Sequence, residues 1–201
     1  PDQLPSPRLS IDTGAIIDRH KLEAEMPGAA ARALIVRPIE SFAALWPQVL
    51  DLAQKQSVSL AVIGAGAAGL ELVFAAEQRL RGACPGGASF TLITGGVEPA
   101  ANYPEGVRRR VLRRLKARGI TVLREACTGV DKGVVYLGNG ASLVCDVPVL
   151  AIGTHAPVWL QGSGLALSAS GHVLVNAFQQ STSHPNAVSY THLTLPTSDL
   201  V

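Results

Sequence analysis

Three glycines, Gly64, Gly66 and Gly69, follow the pattern G-x-G-x-x-G, a spacing that can bind phosphate groups. Residues 59–63 before them form a short apolar run that predicts a buried strand, and an Ala/Leu/Glu-rich stretch after them favours a helix. In that context Gly64 permits a tight turn, Gly66 lets the backbone approach a pyrophosphate, and Gly69 allows close helix–strand packing. The helix N-terminus adds free N–H groups and a positive dipole end. We therefore predict a dinucleotide-binding βαβ unit, with a tight turn in another α/β core as the alternative; the predicted cofactor-binding residues are Gly64, Ala65, Gly66, Ala67, Ala68 and Gly69.

Hydrophobic periodicity predicts the elements that position this turn. Residues 89–94, 120–123 and 147–152 read as further buried parallel strands, with shorter strands at 8–14 and 171–176. Residues 40–54 and 105–118 have helical spacing; Ser41 can cap the first of these helices, and Pro47 argues for a bend or a late start. From residue 127 onward, short β runs alternate with the hairpin signals Lys132-Gly133 and Asn139-Gly140. The predicted fold is α/β: a Rossmann-like domain with a parallel sheet and an inserted antiparallel meander.

The end of the second strand does not settle the choice of coenzyme. An NAD-binding unit is expected to carry an acidic residue there, to accept hydrogen bonds from the ribose hydroxyls. The chain has Thr94 followed by two glycines, and Glu98 comes two residues too late. Thr94 is a candidate contact, and NADH and NADPH both remain open.

Composition bounds the compartment and the partners. The 201 residues are 47% hydrophobic and carry a net charge of only +2, so nothing global indicates nucleic acid. A basic cluster in residues 108–118 is either a solvated helix face or a surface for a nucleic acid or an anionic membrane. Cys84, Cys127 and Cys145 are scattered without zinc or redox spacing, which indicates reduced thiols in the cytoplasm. We predict no metal site and no catalytic side chain.

Targeting signals are not visible in the sequence. No apolar run is long enough to cross a bilayer, and no secretory signal is present. The chain opens at Pro1 rather than at a methionine, which predicts that its natural start lies upstream.

Four segments in order resemble the pyridine nucleotide-disulfide oxidoreductase superfamily of flavoproteins. They are LSIDTG (9–14), VIGAGAAGLELVFA (62–75), PVLAIGTHAP (148–157) and GHVLVNAFQQSTSHPN (171–186). The chain is most similar to the type II NADH dehydrogenase-like members, including those joined to selenophosphate synthetases. In that family an NAD(P)H domain is inserted into a split FAD domain. The resemblance implies the end of the first FAD half at 1–32, a connecting helix at 33–58, the NAD(P)H domain at 59–154, and the return to the FAD domain at 155–187.

The resemblance also implies cofactors, site residues and partners. Thr13 and Gly14 would lie near FAD, Gly153 would line the cofactor site, and Glu71 would lie close to the nicotinamide. Glu71 is equally well explained as an ordinary first-turn glutamate favoured by the helix dipole. The parent enzyme would pass hydride from NAD(P)H to flavin and electrons on to an acceptor such as a quinone. An association with selenophosphate synthetase, a homodimer, and peripheral attachment to the inner face of a membrane all stay open.

Departures from the family pattern predict a fragment. The family's first glycine-rich turn, for the ADP part of FAD, is absent, as is any cysteine pair at redox spacing. The Gly-Asp motif expected after STSHPN is replaced by a tail, residues 188–201. Its VSYTHLTLPT (188–197) resembles a translated sequencing adapter; a divergent natural C-terminus is the alternative. We expect the fragment to be inactive alone, and a stand-alone nucleotide-binding or regulatory module without catalysis is the competing hypothesis.

Overall fold

The computed structural model describes residues 8–14, 16–153 and 155–189. These residues form two compact units: Asp18–Gly153, and the residues before 18 together with those after 153. The helices are Arg19–Glu25 (α1), Ala29–Arg32 (α2), Ile39–Lys55 (α3), Ala67–Arg81 (α4), Glu105–Ala117 (α5) and a 3-10 helix at Val158–Gly162. The strands are Leu9–Ile11 (β1), Leu34–Ile35 (β2), Val58–Ile63 (β3), Ala88–Ile93 (β4), Thr121–Leu123 (β5), Cys127–Asp131 (β6), Val134–Leu137 (β7), Ser142–Val144 (β8), Val147–Leu150 (β9) and Ala187–Ser189 (β10).

A five-stranded parallel sheet is the centre of the larger unit, in the order β2-β9-β3-β4-β5. The chain winds outward from β3 through α4, β4 and α5 to β5, and later returns to place β9 on the other side of β3. Strand order therefore reverses beside the carboxyl end of β3. In open α/β sheets this reversal creates a crevice in which ligands bind. The predicted α/β class and parallel sheet are confirmed.

Burial explains why β3 and α4 pack as they do. Residues 60–63 of β3 are all buried, as expected for a central parallel strand covered on both faces. Helix α4 buries the stripe Leu70, Val73, Ala76 and Leu80 at helical spacing against the sheet. Each buried Leu or Val side chain of this stripe contributes about 1.5–3 kcal/mol relative to exposure, which fixes the face that α4 presents to the sheet.

Helix α3 begins earlier than its sequence predicts. Pro38 is the N-cap residue, in an extended conformation, and the helix runs from Ile39 through Pro47 to Lys55. The predicted cap at Ser41 and the late start are therefore wrong, because Ser41 already lies within the first turn. Phe42 and Trp46, one helical turn apart, stack with ring centroids 5.6 Å apart.

The predicted antiparallel meander is present as the three-stranded sheet β6-β7-β8. Gly133 and Gly140 take left-handed conformations (φ +76° and +83°) in the two turns, as the hairpin signals require. The meander contacts the segment before α2 through a hydrogen bond from the Val130 N–H to the Pro27 carbonyl, 2.9 Å.

The smaller unit has its own parallel strand pair and its own apolar cluster. Strand β1 pairs with β10, so that Leu9 lies beside Ala187. Ile11, Leu160 and Val173 form the buried cluster. The strand predicted at 171–176 takes part only in isolated bridges, Leu167 with Val173 and Val175 with Ser181. Two residues of the predicted non-native tail, Val188 and Ser189, belong to β10, and the rest of that tail lies outside the described residues.

The boundaries between the two compact units lie at residues 17–18 and 153–154. Strand β2, from the predicted connecting segment, pairs with β9 of the main sheet. The assignment of individual segments to FAD or NAD(P)H domains stays a prediction. Within the described ranges, no helix combines the length and apolarity needed to cross a membrane.

We predict an alkaline loss of stability that depends on Cys145. Burial raises the pKa of this thiol from 9.0 to about 11, although backbone hydrogen bonds partly offset the effect. The unfolded chain would lose this proton near pH 9, whereas the folded chain keeps it until about pH 11. The free energy of unfolding should therefore fall with rising pH in that window, by about 2 kcal/mol at its upper end.

Urea unfolding under reducing conditions at about pH 8 and about pH 10.5 measures this effect. Cys145→Ala should lower stability at both pH values through its cavity, but with a shallower dependence on pH than the parent chain. Equal pH dependence in the two proteins would rule out the role of Cys145.

Candidate dinucleotide-binding site

The first glycine of the motif makes the turn at the point where strand order reverses. Gly64 follows β3 with φ +119°, a backbone conformation that residues other than glycine rarely adopt. A Cβ here would lie 2.3 Å from the carbonyl oxygen of Ala151, just after β9. The Gly64 N–H donates to the Ile93 carbonyl (2.8 Å), and the Ala151 N–H donates to the Ile63 carbonyl (2.9 Å). The turn is therefore fixed from both neighbouring strands.

The third glycine lets α4 approach this turn. A Cβ on Gly69 would lie 1.9 Å from the Gly64 carbonyl oxygen and 2.8 Å from the Gly64 carbonyl carbon. Real Cβ atoms do not come that close, so only glycine fits this part of the first helical turn. The result is a helix whose N-terminus is held at the carboxyl edge of the sheet.

The N-terminus of α4 is open. Gly66 is the N-cap residue and makes no side-chain capping bond, and the first hydrogen bond of the helix runs from the Leu70 N–H to the Gly66 carbonyl, 3.0 Å. Gly66, Ala67 and Ala68 are exposed, and among the described residues no atom beyond the chain neighbours of Gly66 lies within 4 Å of where its Cβ would be. The first N–H groups of this 15-residue helix have no partner within the helix itself, and they lie with its positive dipole end in an exposed turn. This arrangement suits an anion.

The loop after β4 contacts the glycine turn directly. The Ala100 N–H donates to the Ala65 carbonyl at 3.3 Å, and Ala100 is buried with φ +58°. The sequence does not reveal this role of Ala100, because left-handed positions are usually recognised by a glycine or an asparagine and this one is occupied by alanine. The contact brings residues 98–101 to the same edge as the motif.

Thr94, which occupies the position of the expected acid, is buried at the end of β4. Its hydroxyl donates to the Val97 carbonyl at 2.6 Å, and its N–H donates to the Leu123 carbonyl at 2.9 Å. The nearest carboxylate along the chain, Glu98, forms an ion pair with Arg124. Arg124 was not among the predicted site residues, and no motif in the sequence marks it.

Other predicted contacts take simple positions. Glu71 is exposed in the first turns of α4, and Gly153 is exposed in the segment that follows β9. In the smaller unit, Thr13 is exposed after β1 and Gly14 has φ +67°. Their roles stay predictions. Within the described part of the chain, no group of three or more His, Cys, Asp or Glu side chains could hold a metal ion.

A family model supplies the assignment. The model for pyridine nucleotide-disulphide oxidoreductases matches residues 9–187, which include both units and the whole glycine turn. The chain belongs to this family. Its members depend on FAD and use NAD(P)H. A search of curated proteins finds no match.

Several solved structures share the fold of this chain. An NAD-dependent persulfide reductase from A. fulgidus matches 94% of the chain at 18% identity with a TM-score of 0.72. NDH2 from Plasmodium falciparum, solved with NADH, matches 92% at 16% identity and 0.69. Fdr9 matches 92% at 27% identity and 0.67. The chain spans only 33%, 43% and 42% of those three proteins, respectively.

We predict opposite effects of adding a methyl group to two helical glycines. Gly69→Ala forces a backbone clash with Gly64 and should lower the free energy of unfolding by about 2–4 kcal/mol. Gly106→Ala, in the first turn of α5, meets no atom within 4 Å and should raise stability by about 0.5 kcal/mol, because alanine loses less backbone entropy. Chemical denaturation of both variants measures the difference. Equal stabilities would contradict the close contact between α4 and the glycine turn.

Proposed function

We propose that this chain carries the NAD(P)H-binding unit of a FAD-dependent NAD(P)H oxidoreductase. The observation that carries the proposal is the exposed N-terminus of α4, where the N-cap residue Gly66 makes no side-chain capping bond and the Gly64–Gly69 contact holds the helix at the strand-order reversal. Family membership of residues 9–187 supports it independently.

The residues present fit a pyrophosphate. The N–H groups at the start of α4 would donate to its oxygens, and the helix dipole would favour its negative charge. Gly66, Ala67 and Ala68 offer no side chain larger than a methyl group, so the phosphates can approach the backbone closely. The open space at the Gly66 Cβ position is the part of the cradle that a side chain would fill.

For FAD the chain offers only part of a site. Thr13 and Gly14 provide an exposed hydroxyl and a left-handed backbone position after β1. The one G-x-G-x-x-G of the sequence is assigned to NAD(P)H, which leaves no second glycine cradle for the ADP part of FAD. These residues therefore fit a contact with FAD, but they do not constitute a complete flavin site.

In the parent enzyme the two cofactors supply hydride transfer from nicotinamide to flavin. This chain would contribute orientation: the α4 amides fix the pyrophosphate, and Glu71 lies on the same helix, further along from the phosphates. An exposed carboxylate there can hold a polar group of the coenzyme by hydrogen bonding. Precise positioning of this kind accounts for much of the rate in reactions between two bound partners.

The resemblance described for the sequence suggests a more specific kind of parent enzyme. We propose a type II NADH dehydrogenase-like parent that passes electrons to an acceptor such as a quinone, of the kind joined to selenophosphate synthetase. The 201-residue chain would bind coenzyme without turnover. The second candidate is a stand-alone nucleotide-binding module, which is favoured by the confinement of the glycine turn and its supports to the single unit Asp18–Gly153. A flavin absorption band in the longer gene product would decide for the oxidoreductase.

Gly66→Ala tests the pyrophosphate site. Gly66 has φ −73° and open space around its Cβ position, so we expect the melting temperature to stay within about 2 °C of the parent. The new methyl group would occupy the approach to the phosphates, and binding of NADH and NADPH should weaken by about tenfold or more. Calorimetric titration of the folded chain measures both dissociation constants.

Gly82→Ala is the matched control, because Gly82 caps the other end of α4 with φ −85° and is equally open. It should bind both coenzymes like the parent. Unchanged affinity in Gly66→Ala, or no binding by the well-folded parent at millimolar coenzyme, would refute the proposed site.

A further inference from the structure

The Glu98–Arg124 ion pair lies after the carboxyl ends of the neighbouring strands β4 and β5. The Thr94 N–H donates to the Leu123 carbonyl (2.9 Å), and the Gly95 N–H donates to the Glu125 carbonyl (3.0 Å). These two bonds hold residue 124 beside the end of β4. The Ala101 N–H bonds to the Glu98 carbonyl, and the neighbouring Ala100 bonds to Ala65 of the glycine turn. Both charged residues are thereby tied to the edge that carries the α4 N-terminus.

The exposed Glu98–Arg124 pair contributes little to stability. The Arg124 Nη2 to Glu98 Oε1 distance is 2.5 Å, and the two side chains keep 60% and 39% of their surface exposed. Ion pairs in such positions contribute at most about 1 kcal/mol, because water and salt screen them and because ordering two long side chains costs entropy. Either side chain can therefore turn to a ligand at little cost.

Glu98 is the one charged residue in the segment 94–104, which follows β4. The Thr94 hydroxyl is bonded to Val97, and Gly95 and Gly96 have φ +69° and +85° with no atom within 4 Å of a Cβ position. In a dinucleotide-binding unit this segment faces the ribose of the adenosine half, where a carboxylate selects NADH and an arginine accommodates the 2′-phosphate of NADPH. Here Glu98 is the acid of this segment, and it is bonded to Arg124, which directly follows the neighbouring strand β5.

We propose that the Glu98–Arg124 pair sets the coenzyme choice of this chain: Arg124 receives the 2′-phosphate of NADPH, and Glu98 accepts hydrogen bonds from the ribose hydroxyls of NADH. This inference rests on the proposed function of the glycine turn. Because the opposite charges nearly cancel, neither coenzyme is strongly rejected. The chain binds both coenzymes, with dissociation constants within about tenfold of each other.

Single charge-removing substitutions separate the two roles. Arg124→Gln removes the cation, and NADPH binding should weaken by about tenfold while NADH binding changes by less than about twofold. Glu98→Gln removes the repulsion of the phosphate and frees Arg124, so NADPH binding should tighten by about fivefold and NADH binding should weaken by about twofold. Calorimetric titration of the 201-residue chain at low ionic strength gives the four constants, and circular dichroism confirms folding.

Arg32→Gln is the matched control. Arg32 pairs with Asp131 at 3.0 Å with similar exposure, but this pair joins α2 to the meander rather than to the edge of the parallel sheet. It should leave the ratio of the two constants unchanged. If the parent binds both coenzymes and Arg124→Gln leaves their ratio within about twofold, the selector role is overturned while the glycine site stands. If the parent binds neither, both proposals fail.

Discussion

A single backbone contact, between Gly69 at the start of α4 and the carbonyl of Gly64 after β3, is the constraint on which the site depends. Because Gly69 has no Cβ, the start of α4 can pack directly against the Gly64 carbonyl. This contact holds the first N–H groups of the helix at the carboxyl edge of the sheet. The contact joins a strand buried on both faces to a helix with one apolar stripe. Local geometry, core packing and the direction of the helix dipole are thus fixed by the same two residues.

Charged side chains hold the far end of α4. Glu77 is almost fully buried, and its two carboxylate oxygens meet Arg81 on the same helix and Arg118 at the end of α5. Arg81 also donates to the Arg118 carbonyl at 2.8 Å, and the two guanidinium groups lie over Phe90 and Phe74. A buried carboxylate is tolerated only when it is paired in this way. The network ties both helices to the sheet, away from the edge that the coenzyme would occupy.

The parallel strands, the glycine turn and the meander were all predictable, because each depends on a short-range pattern: an apolar run, a glycine spacing or a hairpin dipeptide. The start of α3 was misplaced, since Ser41 is a good capping residue that the structure does not use as a cap. Residues 171–176 form isolated bridges instead of a strand, because strand pairing is decided by a partner that periodicity cannot reveal. Ala100 escaped notice for a related reason, since its left-handed backbone is imposed by contact with Ala65.

By itself the sequence determined the class of fold, the position of the glycine turn and the absence of an acid at the end of the second strand, because these follow from residue types at fixed spacing. Only the tertiary structure decided that Gly66 is the N-cap residue of α4, in an exposed turn, and that Glu98 is bonded to Arg124, 26 positions later in the chain. Parallel strands far apart in sequence end at one edge of a sheet, and the side chains that meet there are chosen by strand order.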